Sequence, residues 1–138
     1  MKVKMTLCAL FCSLLFPAVL PAAGSPMQEG LWEISTTVDM PGMPYKARPT
    51  TITHCYTKED LKSNNVVPQQ KGDCKMTDLN YSGGRTTWKM VCTGKHPGKG
   101  EGEITYKGST AYEGKMKMAM EGMEMTTKYK ARRIGVCK

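Results

Sequence analysis

Between Lys115 and Lys130 the chain reads KMKMAMEGMEMTTKYK, with methionine at 116, 118, 120, 123 and 125. Thioethers are soft ligands that suit Cu(I) or Ag(I), and methionines one residue apart on a strand share a face. Two alternating runs around Glu121-Gly122 signal a hairpin with a two-residue turn. That turn sets Met120 opposite Met123 and Met118 opposite Met125. Met40 and Met43, flanking Pro41-Gly42, make a second thioether pair. One reading is therefore a Cu(I)/Ag(I)-binding protein using Met40, Met43, Met118, Met120, Met123 and Met125. The competing reading is that methionine fills the core, its ordinary use. Composition favours the core for the 116–125 run. Both phenylalanines, Phe11 and Phe16, lie in a leader segment, and long aliphatics are sparse beyond it.

Other reactive groups are few. No H-E-x-x-H, G-x-S-x-G or P-loop spacing occurs. His54 lies on an inward strand phase beside Cys55, and His96 sits in a Lys-His-Pro-Gly-Lys loop that reads as solvated. Glu101 and Glu103 share a strand face, but Gly100, Gly102 and Ile104 hold the other phase, so the carboxylates point to solvent. No catalytic residues are assigned, no cofactor is implied, and an enzyme has the least support.

Residues 1–24 read as a signal peptide, with Lys2 and Lys4 before an apolar stretch and Ala22-Ala23-Gly24 before a cut at Ser25. Pro17 and Pro21 interrupt the stretch, which argues against a membrane anchor. Cys8 and Cys12 lie too early for lipidation. Export, most simply to a bacterial periplasm, is the expectation, with residues 25–138 as a single domain. Four cysteines follow the leader, at 55, 74, 92 and 137. An exported small domain without C-x-x-C pairs uses them as disulfides rather than as a zinc site.

The elements that must position these residues are strands. Trp32, Ile34, Thr36, Val38 and Met40 alternate with polar residues over 30–40, and a second strand runs over 48–56. Thr57 to Asp60 is a helix start, with a short helix near 58–63. Residues 74–81 and 85–93 form a hairpin through Gly83-Gly84, which places Leu79 opposite Trp88 and Tyr81 opposite Thr86. Strands follow over 100–107, 111–121 and 123–134. The class is all-β, mainly an antiparallel meander of about seven strands, forming a curved sheet or a partly closed barrel. Strand phase favours the disulfides Cys55–Cys74 and Cys92–Cys137. The rival Cys74–Cys92 needs a three-residue turn at 82–84, which would turn Leu79 outward.

The formal net charge is +8. Lys115, Lys117, Lys128, Lys130 and Arg132 fall on the outer face of the last hairpin, a stripe able to meet phosphate or anionic headgroups. Alternating lysines also discourage edge aggregation. An exported protein rarely meets nucleic acid, so none is expected as a partner.

Several pieces, in order, resemble the bacterial exported family catalogued as domain of unknown function 3617. They are Gly30-Leu31-Trp32-Glu33, Met40-Pro41-Gly42-Met43-Pro44, Cys55 with Thr57-Lys58-Glu59-Asp60, Cys74, and Trp88 with Cys92. Tyr112-x-Gly114, the methionine run and Arg132-Arg133-Ile134-Gly135-Val136-Cys137 complete them. The resemblance implies a periplasmic β-rich domain and brings no catalytic residues. The expected protein is a monomeric, non-catalytic binding or cell-envelope-associated module. Its ligand, an envelope lipid or a small apolar molecule, would be held by Trp32, Trp88 and Tyr112.

Overall fold

A strand must pair its edge N–H and C=O groups with neighbours, and a side that is apolar must be packed against a core. This chain does so with seven strands and one helical turn. A computed structural model describes residues 25–44, 47–63, 66 and 72–138; the expected leader, 1–24, lies outside the described residues. The elements are β1 (Gly30–Asp39), β2 (Thr50–Tyr56), α1 (Lys58–Lys62), β3 (Cys74–Ser82), β4 (Arg85–Cys92), β5 (Gly98–Tyr106), β6 (Ala111–Met120) and β7 (Met123–Gly135). All pairs are antiparallel in one sheet of order β2-β1-β7-β6-β5-β4-β3. Strands β3 to β7 form the expected meander. The first strand then pairs with the last, leaving β2 and β3 as free edges, so the sheet is not closed.

Thr57 starts α1 through a reciprocal box: its backbone and hydroxyl donate to the Asp60 carboxylate at 2.9 and 2.7 Å, and Asp60 N–H donates back to the hydroxyl at 3.2 Å. The Thr57 hydroxyl, then its backbone N–H, hold the Asp60 carboxyl below the usual aspartate range. This cap is complete above the ordinary aspartate pKa and is lost as pH falls through the lowered value.

The buried face is filled unusually. Along β5, Gly98, Gly100 and Gly102 occupy successive inward positions. Each carries a neighbour's side chain laid across it. Trp88 of β4 covers Gly102, while Met118 and Met120 of β6 cover Gly100 and Gly98. Ile104 likewise lies against Gly114. A methyl group at any of these glycines would run into the covering side chain. Trp32, Trp88, Met90 and Ile104 are the largest fully buried side chains. Burial of a large apolar side chain contributes roughly 1.5–3 kcal/mol.

The disulfides differ from the favoured pairing. Cys55 is joined to Cys137 and Cys74 to Cys92, so Cys55–Cys74 and Cys92–Cys137 are corrected. Two β-bulges are the reason. The turn at Gly83-Gly84 has two residues as expected, with Ser82 opposite Arg85 and Tyr81 opposite Thr86. Further along, the register shifts between Thr77 and Asn80, where Asp78 takes a positive φ of 52°. The extra residue reverses the phase of β3. Leu79 is turned out, 44% exposed, and Cys74 falls directly opposite Cys92, with Cα atoms 3.9 Å apart. A second shift lies between the pairs Leu31–Gly135 and Trp32–Arg133. It moves the end of β7 to the outer phase, that of Leu31 and its partner Cys55, and Cys137 reaches Cys55 from there. Gly30 sits at this shift, where a Cβ would strike the Gly135 carbonyl.

Mass mapping of unreduced peptides is expected to recover the pairs 55–137 and 74–92. Gly102→Ala is expected to lower stability to urea by about 1–3 kcal/mol, the usual cost of overpacking. Gly135→Ala, with open space around the new methyl, is expected to stay within about 0.5 kcal/mol.

Candidate functional site

The three aromatic residues expected to hold a ligand are core. Trp32, Trp88 and Tyr112 are 0%, 2% and 3% exposed. Trp32 stacks on Tyr112 with centroids 5.8 Å apart and meets the edge of Tyr56 at 6.1 Å. Its indole N–H donates to the Gln28 carbonyl at 3.1 Å. The Tyr56 and Tyr112 hydroxyls lie 3.3 Å apart, and Tyr106 shares a hydrogen bond with Thr86 at 3.0 Å. The side chains of Trp32 and Tyr112 thus satisfy one another and their neighbours rather than facing an open pocket. Trp88 differs: its indole N–H is the buried side-chain donor among the described residues that has no partner.

Burial pushes the phenols of Tyr56, Tyr112 and Tyr129 above the ordinary tyrosine range, and for Tyr112 the neighbouring Tyr56 adds to it. The folded chain therefore keeps protons that the unfolded chain releases at about pH 10.

The methionines divide into two groups. Met120 is opposite Met123 and Met118 opposite Met125, as the alternation requires. Met116 and Met118 are buried with Met90 and Cys92 in one apolar cluster, against which Met120 and Met125 pack part-buried. Met123, 67% exposed, and Met43, 47% exposed, stand outside the core. Met40 falls one position past the last β1–β7 pair, Asp39–Thr126, which brings it into line with Met125. A five-strand row of inward positions results: Met76, Met90, Gly100, Met118, Met125.

The opposite face carries the open features. Two adjoining grooves, of about 550 and 520 Å³, share Lys89, Glu101 and Lys117 as lining residues. Charge alternates across the strands there. Lys89 of β4 pairs with Asp78 of β3 at 3.1 Å. Glu103 of β5 takes Arg85 from β4 and Lys115 from β6, the latter at 3.0 Å. At β6–β7 the alternation fails at one pair, where Lys115 lies directly opposite Lys128, while Glu113 stays opposite Lys130. Arg132 is drawn aside by Glu33 at 2.8 Å. Lys117, Lys128 and Lys130 form no ion pair among the described residues. The lysine stripe foreseen from the sequence is thus trimmed to three uncommitted cations beside a groove. Reasoning from the sequence missed Arg85, Lys89 and Asp78 as groove residues. Their cross-strand charge pattern was present in the sequence, but only the register reveals it.

The sequence profile of a family described as Protein of unknown function (DUF3617) matches residues 27–137. The chain belongs to this family. No curated protein and no solved structure matches the chain. The family boundaries contain all four described cysteines and the whole sheet.

Tyrosine absorbance followed through an alkaline titration is expected to show a class that ionises only as the sheet unfolds. From neutral pH upward, stability is expected to be level to about pH 10 and to fall above it. Tyr112→Phe is expected to shallow that fall.

Proposed function

We propose that the chain is an exported, non-catalytic module of the bacterial envelope that binds an anionic lipid surface through the β6–β7 lysines. The observation that supports this reading is the placement of Lys115 directly opposite Lys128, with Lys117 and Lys130 on the same face. Like charges directly opposed on a sheet are destabilising by a few tenths of a kcal/mol to about 1 kcal/mol. A face kept only for solubility has no need of that arrangement, and the next pair along the same face sets Thr126 rather than a second lysine opposite Lys117. Two disulfides and a leader-like N-terminus support export, because cross-links persist in oxidising compartments. The inner face is filled by its own side chains, which moves the binding surface from the aromatic residues to the lysines.

The magnitude is modest. Each lysine near an anionic membrane contributes about 1 kcal/mol. Lys117, Lys128 and Lys130 together would give roughly a hundredfold preference over a neutral surface.

Co-sedimentation with vesicles of phosphatidylglycerol and phosphatidylcholine tests the reading. Binding is expected on the anionic vesicles, falling as salt shortens the Debye length, and to be absent on the neutral ones. Lys128→Thr is expected to raise thermal stability slightly while weakening vesicle binding by about fivefold, from the loss of about 1 kcal/mol. Equal binding to both vesicle types, or none to either, would overturn the proposal.

A further inference from the structure

At the tip of the last hairpin the register sets two thioethers at the margin of the core, Met120 packed part-buried against it and Met123 exposed. Gly98, Met120 and Met123 are successive inward partners across β5, β6 and β7. Met120 lies over Gly98, the residue at which the chain leaves the His96 loop for β5. Glu121 and Gly122 both take positive φ, 49° and 80°, as a tight hairpin turn with a fixed register requires. That register keeps both thioethers on one face. Met123 is 67% exposed, so packing does not explain a methionine there.

The second observation is independent of the methionines. The Glu121 carboxylate lies 3.5 Å from Nδ1 of His96, whose side chain is 75% exposed. The pair brings the β4–β5 loop to the hairpin tip with Nδ1 turned toward the carboxylate, and Nε2 is the nitrogen offered to a ligand. A carboxylate behind a histidine is the usual arrangement that orients metal-binding imidazole.

We propose that Met120, Met123 and His96 form a site for a soft monovalent cation, Cu(I) or Ag(I), with Glu121 as a positioning residue. Two thioethers and an imidazole nitrogen suit such ions and disfavour Mg²⁺ or Ca²⁺, which take oxygen. Both described disulfides hold their cysteines oxidised, so no thiolate among those four competes for the ion. Met116 and Met118 remain core and take no part. Binding changes no oxidation state and needs no co-reactant. The site is separate from the lysine face, which lies on the other side of the sheet.

The test is competition against a chromophoric Cu(I) chelator under ascorbate, and calorimetric titration with Ag(I), using purified protein with both disulfides formed. One equivalent is expected to bind with sub-micromolar affinity. Met120→Leu with Met123→Leu keeps side-chain volume nearly constant, and thermal unfolding confirms the fold; this pair is expected to lose at least tenfold in affinity. His96→Ala is expected to lose about tenfold, and Met40→Leu with Met43→Leu to change little. Retained affinity in the Met120/Met123 variant, loss only in the Met40/Met43 variant, or no sub-micromolar binding at all would each overturn the proposal.

Discussion

The structure depends on how one face of a seven-stranded sheet is filled by a domain with no phenylalanine. Its solution is the contact between large side chains and the glycines of β5. Trp88 over Gly102 and Met118 over Gly100 are the clearest cases. A side chain that lies flat across a glycine covers two strands at once, and a flexible thioether can follow the surface it meets. The methionine run on β6 and the Gly98-x-Gly100-x-Gly102 run on β5 are therefore two halves of one packing device. Neither half makes sense without the register that joins them.

That register is adjusted at two places, and both adjustments determine covalent structure. The bulge at Asp78 brings Cys74 across from Cys92, and the shift near Gly135 carries Cys137 to the face of Cys55. One bridge closes the β3–β4 hairpin at the sheet's edge. The other ties the C-terminus to the edge strand β2 across β1, so it spans the join between the two ends of the chain. In the chain-entropy account a longer closed loop stabilises more, about 3 to 5 kcal/mol over this range. The 82-residue separation of the second bridge places it at the larger end.

The two faces then divide the chemistry. The inner one is apolar, with buried phenols bonded to each other. The outer one carries ion pairs across β3 to β6, and exposed pairs of this kind contribute little to stability, about 0 to 1 kcal/mol each. Where the pairing stops, beyond Lys115, the positive charge of Lys117, Lys128 and Lys130 remains without an ion pair among the described residues. Binding by that charge needs no movement of the sheet, since the lysines already stand on its surface. The hairpin tip lies at the boundary of the two faces, where Met123 escapes the core and His96 meets Glu121.

The strands were legible from period-two alternation because burial is decided residue by residue within a strand. Strand limits, the β6–β7 register, the Gly83-Gly84 turn and the Thr57 cap all follow from local pattern. Pairing of β1 with β7 does not, since it joins residues a hundred positions apart and no local preference selects it. The disulfide pairing departs from strand phase for a specific reason. The rule that like phases pair was sound, but a single inserted residue reverses phase, and nothing in Met76-Thr77-Asp78-Leu79 announces a bulge. Trp32, Trp88 and Tyr112 show the same limit: their types allow a ligand pocket or a core, and only the fit of neighbouring side chains tells which. His96 is solvated, as its loop suggests, but its neighbour Glu121 is distant in sequence and is brought near only by the fold.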